Sequence, residues 1–179
     1  MAENYEEPEY EVVSKHSGFE VRRYSDTIQA RVRVDGRNWR GSSGGFRRIA
    51  GYIFGRNERE QMIAMTAPVH IWHEGDGTMM AFTMPSEYSM EDLPRPNDDG
   101  VHLVHAEGKT FGALSFTGLS GPRRSMRLKR RLSSMVEKEG MVSSGPAMLA
   151  VYDDPTSTIP FLRRNEILIP LEDQLPKAD

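Results

Sequence analysis

Gln61-Met-Ile-Ala-Met-Thr-Ala-Pro-Val-His-Ile-Trp72 is the stretch whose reading decides the fold. Read as a strand, it sends alternate residues to opposite faces. Ile63, Met65, Ala67, Val69 and Ile71 share one face, which is wholly apolar. Met62, Ala64, Thr66, Pro68, His70 and Trp72 share the other, which is mostly apolar. A strand apolar on both sides is either sandwiched between two layers or lines a ligand cavity with one of them. Ala64, Thr66 and Ala67 leave room, and the methionines adapt to what fills it. Pro68 has no N–H to give to a ladder, so the stretch is expected to be an edge strand or to bulge there.

Working outward, Gly75-Asp-Gly77 makes a turn into a second strand over 79–84, which Pro85 ends; a Pro- and Asp-rich loop follows over 87–100. Upstream the period changes. Phe46, Ile49, Ala50 and Ile53 are spaced i, i+3, i+4, i+7, one face of a helix, with Ser43 as its N-cap and Gly55 as its stop. Three short alternating segments precede it, over 10–14, 19–24 and 27–35. After residue 100 the order recurs: strands over 101–107 and 109–117, a helix over 123–139, then strands over 147–152 and 162–169. Leu128, Leu132, Met135 and Val136 are the expected buried stripe of that second helix. Each half therefore reads strand, strand, helix, strand, strand, with one extra strand in front. Two such repeated units give an α+β fold. One domain is expected over 10–171, with a frayed segment over 1–9 and a short tail over 172–179.

Composition narrows the function. The chain has 179 residues, 37% of them hydrophobic, enough for a real core. A net charge of -3 gives no bulk attraction to nucleic acid or anionic lipid. The absence of cysteine removes disulfides, thiolate metal sites, a cysteine nucleophile and covalent haem attachment. The acidic N-terminus is not a signal peptide, and no run is long enough to span a membrane, so the expectation is a soluble, cytoplasmic protein.

Several motifs dissolve on inspection. Gly41-Ser-Ser-Gly-Gly45 has the letters of a nucleophile elbow, but a polar loop precedes it where that turn needs an apolar strand. Gly108-Lys-Thr110 lacks the earlier glycine of a phosphate loop. His70 and His73, and likewise His102 and His105, are three apart on strands and so point to opposite faces. The basic run from Arg123 to Arg131 reads as a solvated helix face, without the interleaved aromatics of a single-strand nucleic-acid binder.

Five ordered motifs remain: Gly51-Tyr-Ile-Phe-Gly-Arg-Asn57, Ile63-Ala-Met-Thr-Ala-Pro-Val69, Met84-Pro-Ser-Glu-Tyr88, Leu93-Pro-Arg-Pro-Asn97 and Phe161-Leu-Arg-Arg-Asn-Glu-Ile167. Together they resemble the SOUL family of haem-binding proteins over nearly the whole chain. The resemblance implies a distorted antiparallel β-barrel flanked by two α-helices and related to bacterial effector-binding domains. It implies non-covalent binding of haem or another tetrapyrrole and no common catalytic motif. Haem needs an apolar slot, cations for its propionates and, optionally, an axial ligand. Phe46, Arg47, Ala50 and Met65 are the expected contacts; Met62, Met80 and His70 are the candidate ligands. Arg23 stands where some members carry a histidine, and Ser43 and Gly51 stand where others carry basic side chains. Glu166, just ahead of an apolar run, is expected to pair with Arg22 or Arg23, or to serve as a pocket acid. The latter suits an effector-binding protein for another planar aromatic or cationic compound. A small hydrolase, with Glu166 as base beside Tyr24 or Tyr52, is the third reading.

Overall fold

A computed structural model describes residues 4–36, 44–153 and 160–173. Nine strands and two helices follow in chain order: β1 (Tyr10–His16), β2 (Phe19–Tyr24), β3 (Thr27–Asp35), α1 (Gly44–Ile53), β4 (Val69–Glu74), β5 (Gly77–Thr83), β6 (Val101–Ala106), β7 (Thr110–Thr117), α2 (Pro122–Lys138), β8 (Met148–Val151) and β9 (Arg164–Leu171). All pairings are antiparallel, in the spatial order β1-β2-β7-β9-β8-β4-β5-β3-β6. The fold is α+β, and the sheet curls into a half-barrel with β1 and β6 as its edges.

The repeat expected from element order is a symmetry of the sheet. Exchanging β2–β5 with β6–β9 reverses the strand order and reproduces it, with the β4–β8 pair at the pseudo-dyad. There His70 lies opposite Ala150. His70 also lies opposite Ala81, and Ala150 opposite Glu166. Ala81 pairs with Arg31, and Glu166 with Ser115. One row of directly opposed residues thus crosses six strands as Arg31, Ala81, His70, Ala150, Glu166 and Ser115. Opposed residues project to the same face.

Both helices pack on the other face, α1 over β3, β5 and β6 and α2 over β7 and β9. Ile49, Tyr52 and Ile53 of α1 and Leu128, Leu132 and Val136 of α2 join Val32, Ile71, Met80, Phe82, Leu114 and Ile167 in one core. Each such side chain contributes roughly 1.5–3 kcal/mol when fully buried. Gly45 lets α1 approach β3, since a Cβ there would meet Val34 Cγ1 at 2.7 Å. Met135, expected in the buried stripe of α2, is only half-buried; Ser125 takes a buried place instead, its Oγ donating to Ser120 O at 3.0 Å. Ser43, the expected cap of α1, lies outside the described residues.

The expectation for 61–72 needs correction. Ladder structure starts at Val69, and 62–68 holds isolated bridges, Met62 with Phe54 and Thr66 with Glu6. Nor is the strand an edge: β4 lies between β5 and β8 near the middle of the sheet. The reason is the proline already noted. Pro68 falls one residue before the ladder, so its missing N–H costs no ladder bond and places no limit on the strand that follows. Alternation holds within β4. Ile71 enters the helix-covered core, while His70 and Trp72 face a cavity on the opposite side. The segment before β1 is tied down in part: Glu6 O accepts from Ala67 N at 2.9 Å, and Glu7 pairs with Arg164 at 2.7 Å. No helix among the described residues is long and apolar enough to cross a membrane.

Candidate functional site

The concave face of the sheet carries two polar clusters, one on each side of the pseudo-dyad. In the second half Glu166 is the hub. Arg22 Nη2 lies 2.6 Å from its Oε2, and both side chains are 6% exposed. Ser115 Oγ donates to the same oxygen at 2.9 Å, and the Tyr152 hydroxyl donates to Oε1. Burial alone would raise this carboxyl, but Arg22 and Tyr152 hold it below the ordinary carboxylate range. Burial would likewise lower Arg22, and Glu166 with Tyr24 more than reverses that, so the guanidinium stays charged. Arg22 Nε donates to Glu20 at 2.7 Å, Nη1 donates to the Tyr24 hydroxyl at 3.0 Å, and the group lies 4.3 Å from the Tyr10 ring centroid. Burial pushes the Tyr24 phenol up to about 12, partly offset by Arg22. Of the two partners expected for Glu166, Arg22 is the one used; Arg23 pairs with Asp173 at 2.9 Å.

Beside this cluster on the same face lies a cavity of about 520 Å³, lined by Tyr24, Arg31, His70, Trp72, Phe111 and Leu168 among others. It brings together β3 and β4 from one side of the pseudo-dyad with β2, β7 and β9 from the other, which the curl of the sheet makes possible. His70 is buried, its Nδ1 has no hydrogen-bond partner among the described residues, and burial pushes its pKa down to about 4, so the ring is neutral at physiological pH. Arg31 Nε donates to Gln29 Oε1 at 2.9 Å, and the guanidinium lies over Trp72, 5.3 Å from its ring centroid.

The outer face of α1 is the third region. Phe46, Phe54 and Met62 are exposed at 44%, 55% and 64%. Phe46 and Ala50 are one turn apart on α1, Phe54 follows another turn on, and Met62 is bridged to it. Arg47 stands exposed beside this strip with no ion-pair partner among the described residues. Arg48 does not stand free. It clamps Asp98 through two bonds of 2.6 and 2.8 Å, which pull the Asp98 carboxyl down to about 2. At Gly51, a Cβ would meet Arg56 Cδ at 3.0 Å, so the Arg56 side chain lies over the position where other members carry a basic residue.

The expected site residues therefore divide between two faces of the sheet. Phe46, Arg47, Ala50 and Met62 gather at α1. Met80 lies beneath α1, fully buried, and Met65 is half-buried against the same core. His70 and Glu166 are on the concave side, and one ligand cannot touch both sets. Glu166 itself is absent from the cavity wall. Tyr52 is remote from Glu166, its hydroxyl donating to Pro94 O at 2.7 Å. Tyr152 is the tyrosine at Glu166, and sequence reading missed it together with Arg31 and Trp72. Period-2 alternation put Arg31 on the polar side of β3, but no local signal says that this side is concave.

A family model described as SOUL heme-binding protein matches residues 5–170. Human heme-binding protein 2 is 29% identical over 158 residues, 83% of this chain and 76% of that protein. Among solved structures, the EcmrR C-terminal domain superposes with a TM-score of 0.68 at 11% identity, covering 92% of this chain and 99% of that one. A hydrolase from Listeria innocua superposes with a TM-score of 0.58 at 12% identity, covering 89% and 94%. At such identities the two structures speak for the fold alone.

Proposed function

The chain belongs to the SOUL heme-binding protein family, and on that footing we propose that it binds haem or a related tetrapyrrole, non-covalently, on the outer face of α1. The observation that carries this reading is the apolar strip of exposed Phe46, Phe54 and Met62 with half-buried Ala50 among them, beside Arg47, which has no ion-pair partner among the described residues. A contiguous exposed apolar patch with a polar rim marks a binding surface. A porphyrin offers a flat apolar face for the strip and propionates for Arg47 and Arg56. Met80 is buried, Met65 is half-buried against the core and His70 is on the concave face, which leaves Met62 as the exposed thioether at α1. Bound there, haem would supply its own iron and macrocycle chemistry. Glu166, the base that a hydrolase reading would need, is engaged by Arg22, Tyr152 and Ser115, which supports a binding role.

Haemin titration followed by absorption tests this. A saturable one-to-one Soret change is expected, weakened several-fold in Arg47→Ala and shifted in wavelength in Met62→Ala. A broad, non-saturating spectrum like that of free haemin, or an Arg47→Ala protein indistinguishable from the parent, would overturn it.

A further inference from the structure

The pseudo-dyad puts different chemistry at equivalent places. Glu166 in the second half matches Ala81 in the first, Ser115 matches Arg31, and Ala150 matches His70. Around Glu166 the carboxylate, the Arg22 guanidinium and the hydroxyls of Ser115 and Tyr152 close on one another. In the first half the polar groups are left open. Arg31 uses Nε on Gln29 and its flat face on Trp72. No carboxylate lies within ion-pair distance of it among the described residues; Glu74 acts on it only at longer range and sits 4.0 Å from Arg33. Both Nη atoms therefore remain as a two-toothed donor edge, the geometry that suits a carboxylate. Across Ala81 from Arg31 stands His70, with Nδ1 buried and unpartnered. Two residues along β5 stands Thr83, with its hydroxyl in the same condition. Buried polar atoms without partners cost about 1–3 kcal/mol each, a cost that a ligand can remove. All three groups line the same cavity, with Tyr24, Trp72, Phe111 and Leu168 as its aromatic and apolar walls.

We propose that the concave cavity is a second ligand site, separate from the α1 face, for a small aromatic carboxylate. Its carboxylate sits on Arg31, with His70 and Thr83 as further hydrogen-bond partners. Its ring packs among Trp72, Tyr24, Phe111 and Leu168. The buried carboxylate of this face, Glu166, is already neutralised by Arg22, so a cationic ligand finds no buried counter-charge. The site depends on the opposite face of the sheet from the proposed haem strip, and its test is independent of that reading.

The test is calorimetric titration of the full chain with 2-naphthoate, its neutral isostere 2-naphthamide, and tetraphenylphosphonium as an aromatic cation. Expected are one-to-one binding of 2-naphthoate, affinity for the amide at least about tenfold weaker, and weaker binding still of the cation. Arg31→Gln should lose at least about tenfold for the naphthoate and little for the amide, while Arg131→Gln, an exposed arginine lost from α2, should bind as the parent does. Charge-assisted bidentate pairs carry that size of effect. The amide comparison needs no variant, so a misfolded Arg31→Gln protein cannot mask the answer. No naphthoate binding at millimolar ligand, equal affinity for acid and amide, or tighter binding of the cation would each overturn the proposal.

Discussion

Glu166→Gln removes one charge and almost no volume, and it should be among the most destabilising single changes in this sheet. Breaking a buried ion pair by removing one partner costs about 3–5 kcal/mol, because the other charge is left uncompensated in the interior. Arg22 would retain Glu20 at 2.7 Å, whose side chain is 24% exposed, and the Tyr24 hydroxyl at 3.0 Å. The lower end of the range therefore applies, about 3 kcal/mol. For a chain of this size that is a fall in Tm of about 6–12 °C. The pH dependence has a definite sign. Glu166 is held below the ordinary carboxylate range in the fold, so the unfolded chain binds its proton more readily. The stabilisation is complete above the unfolded value of about 4.3 and is lost as pH falls through the lower folded value. Urea unfolding of parent and variant at pH 7 and at steps below pH 5 measures both. The variant should be weaker at pH 7 and flatter in acid. The double variant Arg22→Met, Glu166→Leu should be more stable than Glu166→Gln, since it buries no unpaired charge. A loss under about 0.5 kcal/mol at pH 7, with an unchanged acid slope, would refute the reasoning. Haemin affinity should survive Glu166→Gln, because the residue lies on the other face of the sheet from α1.

Two further outcomes follow from other clusters. Burial holds His70 at about 4, below its unfolded value near 6.5. The unfolded state takes the proton first, so the parent should lose roughly 3 kcal/mol as pH falls from 6.5 to 4; unfolding of His70→Gln should be flatter across that window, most clearly above pH 5 where carboxylates do not yet titrate, and an unchanged slope would show that His70 titrates normally. At α1, Arg48 and Asp98 are each more than a third exposed, so Arg48→Ala should cost only about 0.5–1 kcal/mol. Gly100→Ala would place a Cβ 1.7 Å from Arg48 Nη2, so it should break the same clamp. The two changes together should cost no more than the dearer one, and strict additivity in denaturant midpoints would disprove the shared mechanism.

What sequence shows of this protein follows from what is periodic in it. The bounds of β2 and β3 are legible residue by residue because Phe19–Tyr24 and Thr27–Asp35 alternate cleanly between turns. α1 and α2 are legible from a 3.6-residue apolar stripe and the glycines beyond it; Gly55, at φ +110, is such a terminator. The segment 62–68 misleads because apolar residues that pack in a loop resemble those of a strand; hydrogen bonding, which pattern does not report, tells them apart. The site is less legible still. Arg22 and Glu166 can be paired on chemistry, yet Tyr152 joins them only through the β8–β9 register. Arg31, Trp72 and His70 meet only because three neighbouring strands present one face to a concavity.

The motifs that carry the family resemblance serve the backbone and the buried ion pair rather than a ligand. Asn57, in the first motif, donates to Tyr52 O at 3.0 Å and to Gln61 O at 2.8 Å, and accepts from the backbone of Arg59 and Gln61. One buried side chain thus satisfies the loop that leaves α1. Asn165, in the last motif, donates to Gly118 O at 2.8 Å and fixes the turn ahead of α2; Glu166 beside it ties β9 to β2 across β7. These residues are demanded by backbone groups and by a buried charge, so any chain with this fold has reason to use them whatever it binds. Ligand choice rests instead on positions that the backbone leaves free. The proposed sites, the strip of α1 and the row of Arg31, His70 and Thr83, are of that kind. The two proposed ligand faces then accord with the repeat: one side of the pseudo-dyad closes its charges to hold the sheet, and the other is released from that task.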